Sequence, residues 1–425
     1  MHISNIHPHT APLERALPNK PSPTARDTRA MSHARAPLVK TRSTGTVSSK
    51  TSRRGSMTRM GGIHPTSLRT RDSVVVRASA DGKKLNGRST HRVRATKAPP
   101  GSALDAAQAF SNLVLDSKKF VADAENAMID LGPRAGVVSA GVLIHSAKSG
   151  GRDAGALEGA MASAMAEGKD FSHVVDKAKA NLASMWAQKV EGRVSVELGW
   201  QLANDAEGTV MKAREMVALC DETRTPRDKL LFKIPATYAG IKACKTLEAE
   251  GVPCHLSHVY CREQAYAAVD AGVSVVQLYY SRLNAWYKAK GSSSDDVDPA
   301  YDLVRDTLAR VKATGSKTKV MVASLANVDA VMRVLGVDYC LVGQRIIDEL
   351  AEMPASDLGE TIISDARASP GAGGAAANLS EADFLAACAA SPAKEELELA
   401  LKRNAARDAD LMNFITQSKA GGGNA

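Results

Sequence analysis

Leu230-Leu231-Phe232-Lys233-Ile234-Pro235-Ala236-Thr237 is a short apolar run interrupted by one charge, and the chain on either side repeats its setting. A segment of helical period follows at 240–250, then Gly251, then a second run rich in apolar residues at 254–259. Short Val, Ile and Leu runs alternating with longer helical segments are the pattern of βα units on a parallel sheet. The strands predicted in this way are 113–115, 137–142, 193–198, 230–234, 254–259, 274–279, 319–325 and 339–343. Helical segments between them include 173–189, 207–220, 240–250, 262–271, 300–314 and 328–335, and several stop at a glycine: Gly251, Gly272, Gly315 and Gly336. Eight strands alternating with helices over roughly 250 residues predict an α/β fold, a single (β/α)8 TIM barrel. The alternative is a doubly wound open sheet, which usually carries a Gly-rich nucleotide loop after its first strand, and no such loop is present.

The barrel is expected over 101–365. Residues 366–379, with Ser369-Pro370-Gly371-Ala372-Gly373-Gly374, read as a flexible linker. Two further helices over 380–417 cannot complete a barrel and are expected to pack on its outside or cover its mouth. They open with Ser380-Glu381-Ala382-Asp383, a capping box with Asp where Glu or Gln is usual. Residues 418–425, which include Gly421-Gly422-Gly423, read as a disordered tail.

Charge separates the first hundred residues from the rest of the chain. The net charge is +9, but residues 1–100 hold 20 Lys or Arg against four acids, a balance of +16 that leaves −7 for the rest. A nucleic-acid binder would keep its positive charge on the folded domain, so no nucleic-acid partner is expected. Rich in Ser, Thr, Arg and Pro and without a hydrophobic period, residues 1–77 read as an organelle transit peptide and 78–100 as a flexible linker. Val74-Val75-Val76-Arg77-Ala78-Ser79-Ala80 looks like the Val-Arg-Ala processing signal of plastid precursors, which places the expected protein in the chloroplast stroma. Mitochondrial import and a disordered nucleic-acid-binding arm are the alternatives. No apolar run approaches the roughly 18 to 20 residues of a spanning helix, so no membrane partner is expected. The six cysteines form no CxxC pair and no zinc-like cluster, and are expected as reduced thiols, with a Cys254–Cys261 redox pair as the alternative.

Both faces of a parallel barrel strand are covered, so the central Lys233 is predicted to be buried or nearly so. Burial disfavours an ammonium, and a neutral amine can attack a ketone to form a Schiff base. A structural ion pair with a barrel carboxylate is the competing reading. Arg193-Val194-Ser195-Val196-Glu197-Leu198 puts Glu197 at the end of the preceding strand, on the face that carries the active site in barrels of this kind. There it could exchange protons as the carbinolamine forms and dehydrates. Asp116 ends the first strand in the same way, although an acid there also reads as a helix cap.

These segments closely resemble the block that carries the catalytic Lys in the transaldolase family. The likeness joins Gly192–Glu197 to Leu231–Ala243, then continues in register through Leu247-Glu248-Ala249-Glu250-Gly251-Val252-Pro253-Cys254-His255-Leu256-Ser257 and Arg282-Leu283-Asn284-Ala285-Trp286-Tyr287-Lys288. Lys319-Val320-Met321-Val322-Ala323-Ser324 and Asp348-Glu349-Leu350-Ala351-Glu352 follow in the same order. The resemblance implies Lys233 as Schiff-base nucleophile, Glu197 as its proton-transfer partner and Asp116 as the acid/base of carbon–carbon cleavage. It implies Ser257 in place of the Thr that positions the catalytic water, and Arg282 and Ser324 as phosphate ligands.

The chain departs from the family at Ser139, where Asn is usual, at His255 and Gln277, which replace an Asn and a Ser, and at Ala326, which replaces the second phosphate-binding Arg. Ser139, His255 and Gln277 are retained as substrate-contact candidates, with His255 either a replacement acid/base or a polar wall residue. Arg345, ending the eighth strand, is the candidate for the missing guanidinium. The activity implied is transfer of a dihydroxyacetone unit between sugar phosphates through a lysine Schiff base, with no organic cofactor and no metal. A second copy of the chain is a candidate partner. An aldolase of altered specificity, and a silent barrel kept for binding or regulation, are the other readings that the substituted positions leave open.

Overall fold

The computed structural model of the chain describes residues 97–116, 134–150, 153–291, 297–358 and 379–421. The expected transit peptide over 1–77, most of the linker at 78–100, nearly all of the linker at 366–379 and the end of the tail lie outside them. In chain order the elements are α1 (Ala103–Gln108), β1 (Asn112–Leu115), β2 (Gly136–Val138), α2 (Ala140–Ser149), α3 (Gly155–Ala166), α4 (Phe171–Ala187) and β3 (Val194–Glu197). A 3-10 turn (Trp200–Leu202) precedes α5 (Ala206–Glu222), β4 (Leu230–Pro235), α6 (Tyr238–Ala249), β5 (Cys254–Val259), α7 (Arg262–Asp270), β6 (Val275–Tyr279) and α8 (Tyr280–Ala289). Then come α9 (Pro299–Thr314), β7 (Lys319–Ala323), α10 (Val328–Val334), β8 (Tyr339–Val342), α11 (Gln344–Glu352), α12 (Glu381–Ala389) and α13 (Pro392–Gly421).

All the strand pairs are parallel, and the hydrogen-bonded order is β1-β8-β7-β6-β5-β4-β3-β2. From β2 to β8 sequence neighbours are sheet neighbours, and β8 returns to β1, which is (β/α)8 barrel order and not that of a doubly wound sheet. Among the described residues no backbone ladder joins β1 to β2, so the sheet has a seam there. Its curl is visible in side chains that meet although other strands stand between theirs. Ser195 Oγ on β3 lies 2.8 Å from His255 Nδ1 on β5. Leu231, Val275 and Met321, from β4, β6 and β7, form an inner cluster with Tyr339 and Leu341 of β8.

Alternation along each strand sorts residues between two layers. Val138, Val194, Val196, Phe232, Ile234, Leu256, Val276, Val322 and Val342 are almost wholly buried and share the main core with helix residues such as Leu143, Leu182, Met216, Leu247 and Leu350. Fully burying a side chain of this size contributes about 1.5–3 kcal/mol, so this outer layer fixes which strand face turns inward. Glycine stops are where the period places them: Gly251 and Gly315 have φ of 75° and 65°, left-handed conformations that a side chain disfavours.

The predicted strand over 137–142 is corrected. Strand β2 ends at Val138, and Ser139 caps α2 by accepting a hydrogen bond from the Val142 amide. A short apolar run such as Ala140-Gly141-Val142-Leu143-Ile144 has the same composition in a buried strand and in the first turns of a buried helix. Strand β7 likewise stops at Ala323, because Ser324 takes a φ of 59°.

The two C-terminal helices pack on the barrel. Phe384 of α12 is buried against the Tyr238 ring of α6, 5.6 Å between centroids. Ser380 caps α12 by accepting from the Asp383 amide, and its hydroxyl donates to the Asp383 carboxylate at 2.6 Å. Helix α13 contacts α8, β5, the 3-10 turn after β3, and α2, and so spans the C-terminal ends of the strands. No helix among the described residues is long and apolar enough to cross a membrane.

The start of α6 fixes the end of β4, because Thr237 accepts a hydrogen bond from Gly240 N–H at 2.9 Å. A Cβ on Gly240 would stand 2.2 Å from the Pro235 carbonyl oxygen and 3.1 Å from Ile234 Cγ2. Gly240→Ala is expected to lower stability by about 1–3 kcal/mol, read from urea unfolding. An unchanged midpoint would show that this helix start has room to shift.

Candidate active site

Strands β3 and β4 place two opposite charges side by side. Val194 and Val196 face the helices, so Ser195 and Glu197 face inward; Phe232 and Ile234 face the helices, so Leu231 and Lys233 face inward. Glu197 and Lys233 are register partners across the ladder. Lys233 Nζ lies 3.6 Å from Glu197 Oε1, with side chains 13% and 9% exposed. That is ion-pair distance but longer than a good hydrogen bond, which leaves the amine directions in which to meet a substrate. From α4, buried Lys179 donates to the Glu197 carbonyl oxygen at 3.1 Å and pins the end of β3.

The pair opens on a cavity of about 1340 Å³ that runs along the lumen. Asp116, Ser139, His255, Gln277, Arg282 and Ser324 line it together with Lys233 and Glu197. Asp116 follows β1, its amide continuing the ladder to Val342 O at 2.8 Å, and its side chain is exposed. Ser139 stands at the cap of α2. Ser324 has a left-handed φ of 59°, and its carbonyl accepts from the Ser281 amide at 3.0 Å. Such backbone strain recurs at ligand-binding positions.

His255 is 1% exposed and bonded at both nitrogens: Nδ1 to Ser195 Oγ at 2.8 Å, Nε2 to Gln277 Oε1 at 3.1 Å. Tyr279 also donates its phenol to Gln277 Oε1, at 3.3 Å. Because the Gln277 oxygen accepts from both, the His255 proton sits on Nε2 and Nδ1 accepts from Ser195. Burial, reinforced by the Lys233 charge, lowers the His255 pKa to about 3. Burial also raises the Tyr279 phenol above its ordinary value; Arg282 opposes this, and the negative charges of Glu197 and Asp116 add to it.

Two candidates are not brought to the wall. Arg345 lies in the first turn of α11 at the rim, where it is exposed, pairs with Glu349 and donates to the Ala326 carbonyl at 2.9 Å. Its guanidinium does not line the cavity with the other phosphate candidates. Ser257 is fully buried, donates to the Ile234 carbonyl at 3.4 Å and bonds to His258 Nδ1 at 3.1 Å, but does not line the cavity. The cause is a register shift between Leu256 and Val259, where His258 has a φ of 67°. Strict alternation would turn His258 outward; the bulge breaks that alternation and brings His258 to the cavity.

His258 is thus a cavity residue that the period of the strand conceals. Its ring stands edge-on to Trp200 at 5.1 Å and lies 5.0 Å from Tyr279. Burial, then Lys233, Arg282 and Arg403, hold its pKa well below 6.5. Tyr279, Arg403, Asn404 and Arg407 also line the cavity, the last three from α13. A lone positive residue on a C-terminal helix carries no signal in the sequence that it faces a barrel mouth. The alternative Cys254–Cys261 redox pair is not formed: Cys254 begins β5 and neighbours Cys244, while Cys261 stands at the start of α7 and neighbours Cys388. All six cysteines are free and buried. Among the described residues no three His, Cys, Asp or Glu side chains are grouped to hold a metal ion.

The buried imidazole ties stability to pH. In the unfolded chain His255 takes up a proton near pH 6.5, whereas in the fold it stays neutral down to about pH 3. Between those values the unfolded state binds the extra proton, so the stabilisation is complete above pH 6.5 and is lost as pH falls. His255→Gln is expected to flatten the decline in unfolding free energy between pH 6.5 and 5 by up to about 1.4 kcal/mol per pH unit. Parallel slopes for the two proteins, in urea unfolding at stepped pH, would refute this.

Residues 113–408 match the sequence profile of the family described as Transaldolase/Fructose-6-phosphate aldolase. A transaldolase of Xanthomonas campestris pv. campestris (strain B100) is 34% identical over 182 residues, 42% of this chain and 56% of that protein. The match to this relative thus spans little more than half of its length. A transaldolase of Actinobacillus succinogenes (strain ATCC 55618 / DSM 22257 / CCUG 43843 / 130Z) is 31% identical over 220 residues, 50% of this chain and 69% of that protein. One of Histophilus somni (strain 2336) is 33% identical over 217 residues, 49% of this chain and 68% of that protein. A solved structure of mandelate oxidase with (S)-2-phenylpropionate aligns at 16% identity with a TM-score of 0.30, too slight a likeness to bear on fold or function. The profile match runs from β1 into α13 and takes in Lys233, Glu197, Arg282 and Ser324, so the chain belongs to the transaldolase/fructose-6-phosphate aldolase family.

Proposed function

We propose that this chain is a transaldolase that moves a dihydroxyacetone unit from a ketose phosphate, sedoheptulose 7-phosphate or fructose 6-phosphate, to an aldose phosphate in the pentose phosphate pathway. The observation that carries the reading is the Lys233 amine, 3.6 Å from the Glu197 carboxylate in a lumen cavity. Lys233 Nζ attacks the ketose C2 carbonyl, and Glu197 returns a proton to the carbinolamine hydroxyl so that water leaves and the iminium forms. Asp116 takes the proton from the C4 hydroxyl. The C3–C4 bond breaks, its electron pair passes into the iminium to give an enamine, and the aldose phosphate departs. The enamine carbon then attacks the aldehyde of a second aldose phosphate, whose oxygen takes back the proton, and water releases the ketose product from Lys233. The iminium is the electron sink, so the sequence of steps calls for no metal or organic cofactor.

The substituted positions bear on specificity more than on the imine. Both nitrogens of His255 are committed to Ser195 and Gln277, which supports its reading as a polar wall and not as a replacement acid/base. Arg282 and Ser324 suit a phosphate group by charge and hydrogen bonding.

Incubation with fructose 6-phosphate followed by borohydride should leave a reduced ketose adduct on the peptide containing Lys233, found by mass spectrometry. Lys233→Met should abolish it, and Glu197→Gln should slow turnover about a hundred- to ten-thousandfold. No adduct with any ketose would favour the silent barrel, and an adduct without transfer to an acceptor would make the protein an aldolase.

We also propose that the protein works in the chloroplast, a reading supported by the basic, acid-poor composition of residues 1–77 and the segment around Arg77. A fluorescent reporter carrying residues 1–77 should accumulate in chloroplasts of plant cells; mitochondrial or diffuse cytosolic fluorescence would overturn it.

A further inference from the structure

The strand ends offer Arg282 and Ser324 to a phosphate, and at Ala326 they offer no second guanidinium. Arg345 does not replace it, since it is turned to Glu349 and the Ala326 carbonyl. A different arginine meets the same cavity from the far end of the chain. Arg403 of α13 is half-buried and lines the wall, and among the described residues no hydrogen bond or ion pair involves it. With no protein acceptor among the described residues, its planar fork of N–H donors is left free to meet an anion in the cavity.

Its surroundings support an anion and not another cation. Arg282 and Arg403 both bear on the His258 and Tyr279 rings, which lie 5.0 Å from each other. The Arg282 guanidinium carbon is 5.3 Å from the centre of the Tyr279 ring. Glu396 is the carboxylate on α13 that faces Arg282, but at 4.0 Å it makes a marginal pair, and it accepts from Tyr260 at 3.3 Å. Helix α13 is anchored on both sides of Arg403: Glu395 accepts from Trp286 Nε1 at 2.8 Å, while Leu411 and Ile415 are fully buried. Arg403 is therefore held over the cavity by the helix packing, with little ordering left for a ligand to bring about.

We infer that Arg403, supplied by the C-terminal helix, joins Arg282 in holding the phosphate monoester of the substrate and takes the part of the guanidinium absent at Ala326. The inference rests on the reading of this cavity as a ketose phosphate site. It makes the C-terminal helix part of the binding site, so that selection between phosphorylated and plain ketoses depends on an element outside the barrel repeat.

Borohydride trapping at Lys233 is measured against concentration of fructose 6-phosphate and of dihydroxyacetone, in wild type, Arg403→Met and Arg403→Lys. The expected result is a rise of about ten- to a hundredfold in the half-saturating fructose 6-phosphate concentration for Arg403→Met, with partial recovery in Arg403→Lys and no shift for dihydroxyacetone. An equal shift for both ketoses, or none for either, would overturn the inference. If wild type traps no ketose, the ketose reading itself fails, and calorimetric titration with inorganic phosphate decides for Arg403 alone. Weaker phosphate binding in Arg403→Met then supports an anion site, and unchanged binding rules it out.

Discussion

The structure depends on a carboxylate and an amine that are register partners on two neighbouring strands. Either charge alone in that lumen would be costly, and removing one partner of a buried pair costs about 3–5 kcal/mol. Together they are tolerated, because Glu197 and Lys233 face each other across the ladder and the carbonyl of Glu197 is tied down by Lys179. The outer core makes this arrangement obligatory. With Val194, Val196, Phe232 and Ile234 packed against helices, a slip of one residue in either strand would drive a charge into the apolar layer and leave its partner alone.

Around this pair the cavity is polar but mostly uncharged. His255 closes a chain from Ser195 through Gln277 to Tyr279, in which both of its ring nitrogens have a partner. Burial keeps both His255 and His258 neutral, so neither competes with the cationic groups for an incoming anion. The charges on the cavity wall are then those of Lys233, Lys317, Lys319 and the arginines against Asp116, Glu191, Glu197 and Glu248.

The C-terminal helix adds one wall to the barrel mouth. Its buried stripe, from Ala393 through Ala400 to Leu411 and Ile415, packs it down, and the same side of the helix brings Arg403, Asn404 and Arg407 to the cavity. Residues separated by some 170 positions in the chain, Lys233 and Arg403, come to share one cavity as a result.

The order of strands, the inward setting of Lys233 and Glu197, and the glycine stops after the helices were decided by the sequence alone, because period 2, period 3.6 and left-handed turns are local properties of a few residues each. Boundaries at Ser139 and Ser324 were not legible, since an apolar run does not announce where a strand becomes a helix. Neither was the arrival of His258 at the cavity, which needs a bulge that only the pairing of β5 with its neighbour creates. Arg345 and Arg403 show the same limit at longer range. Both are single arginines on helices, and whether one reaches a ligand depends on which way its helix faces, something only the packing of that helix on the barrel decides.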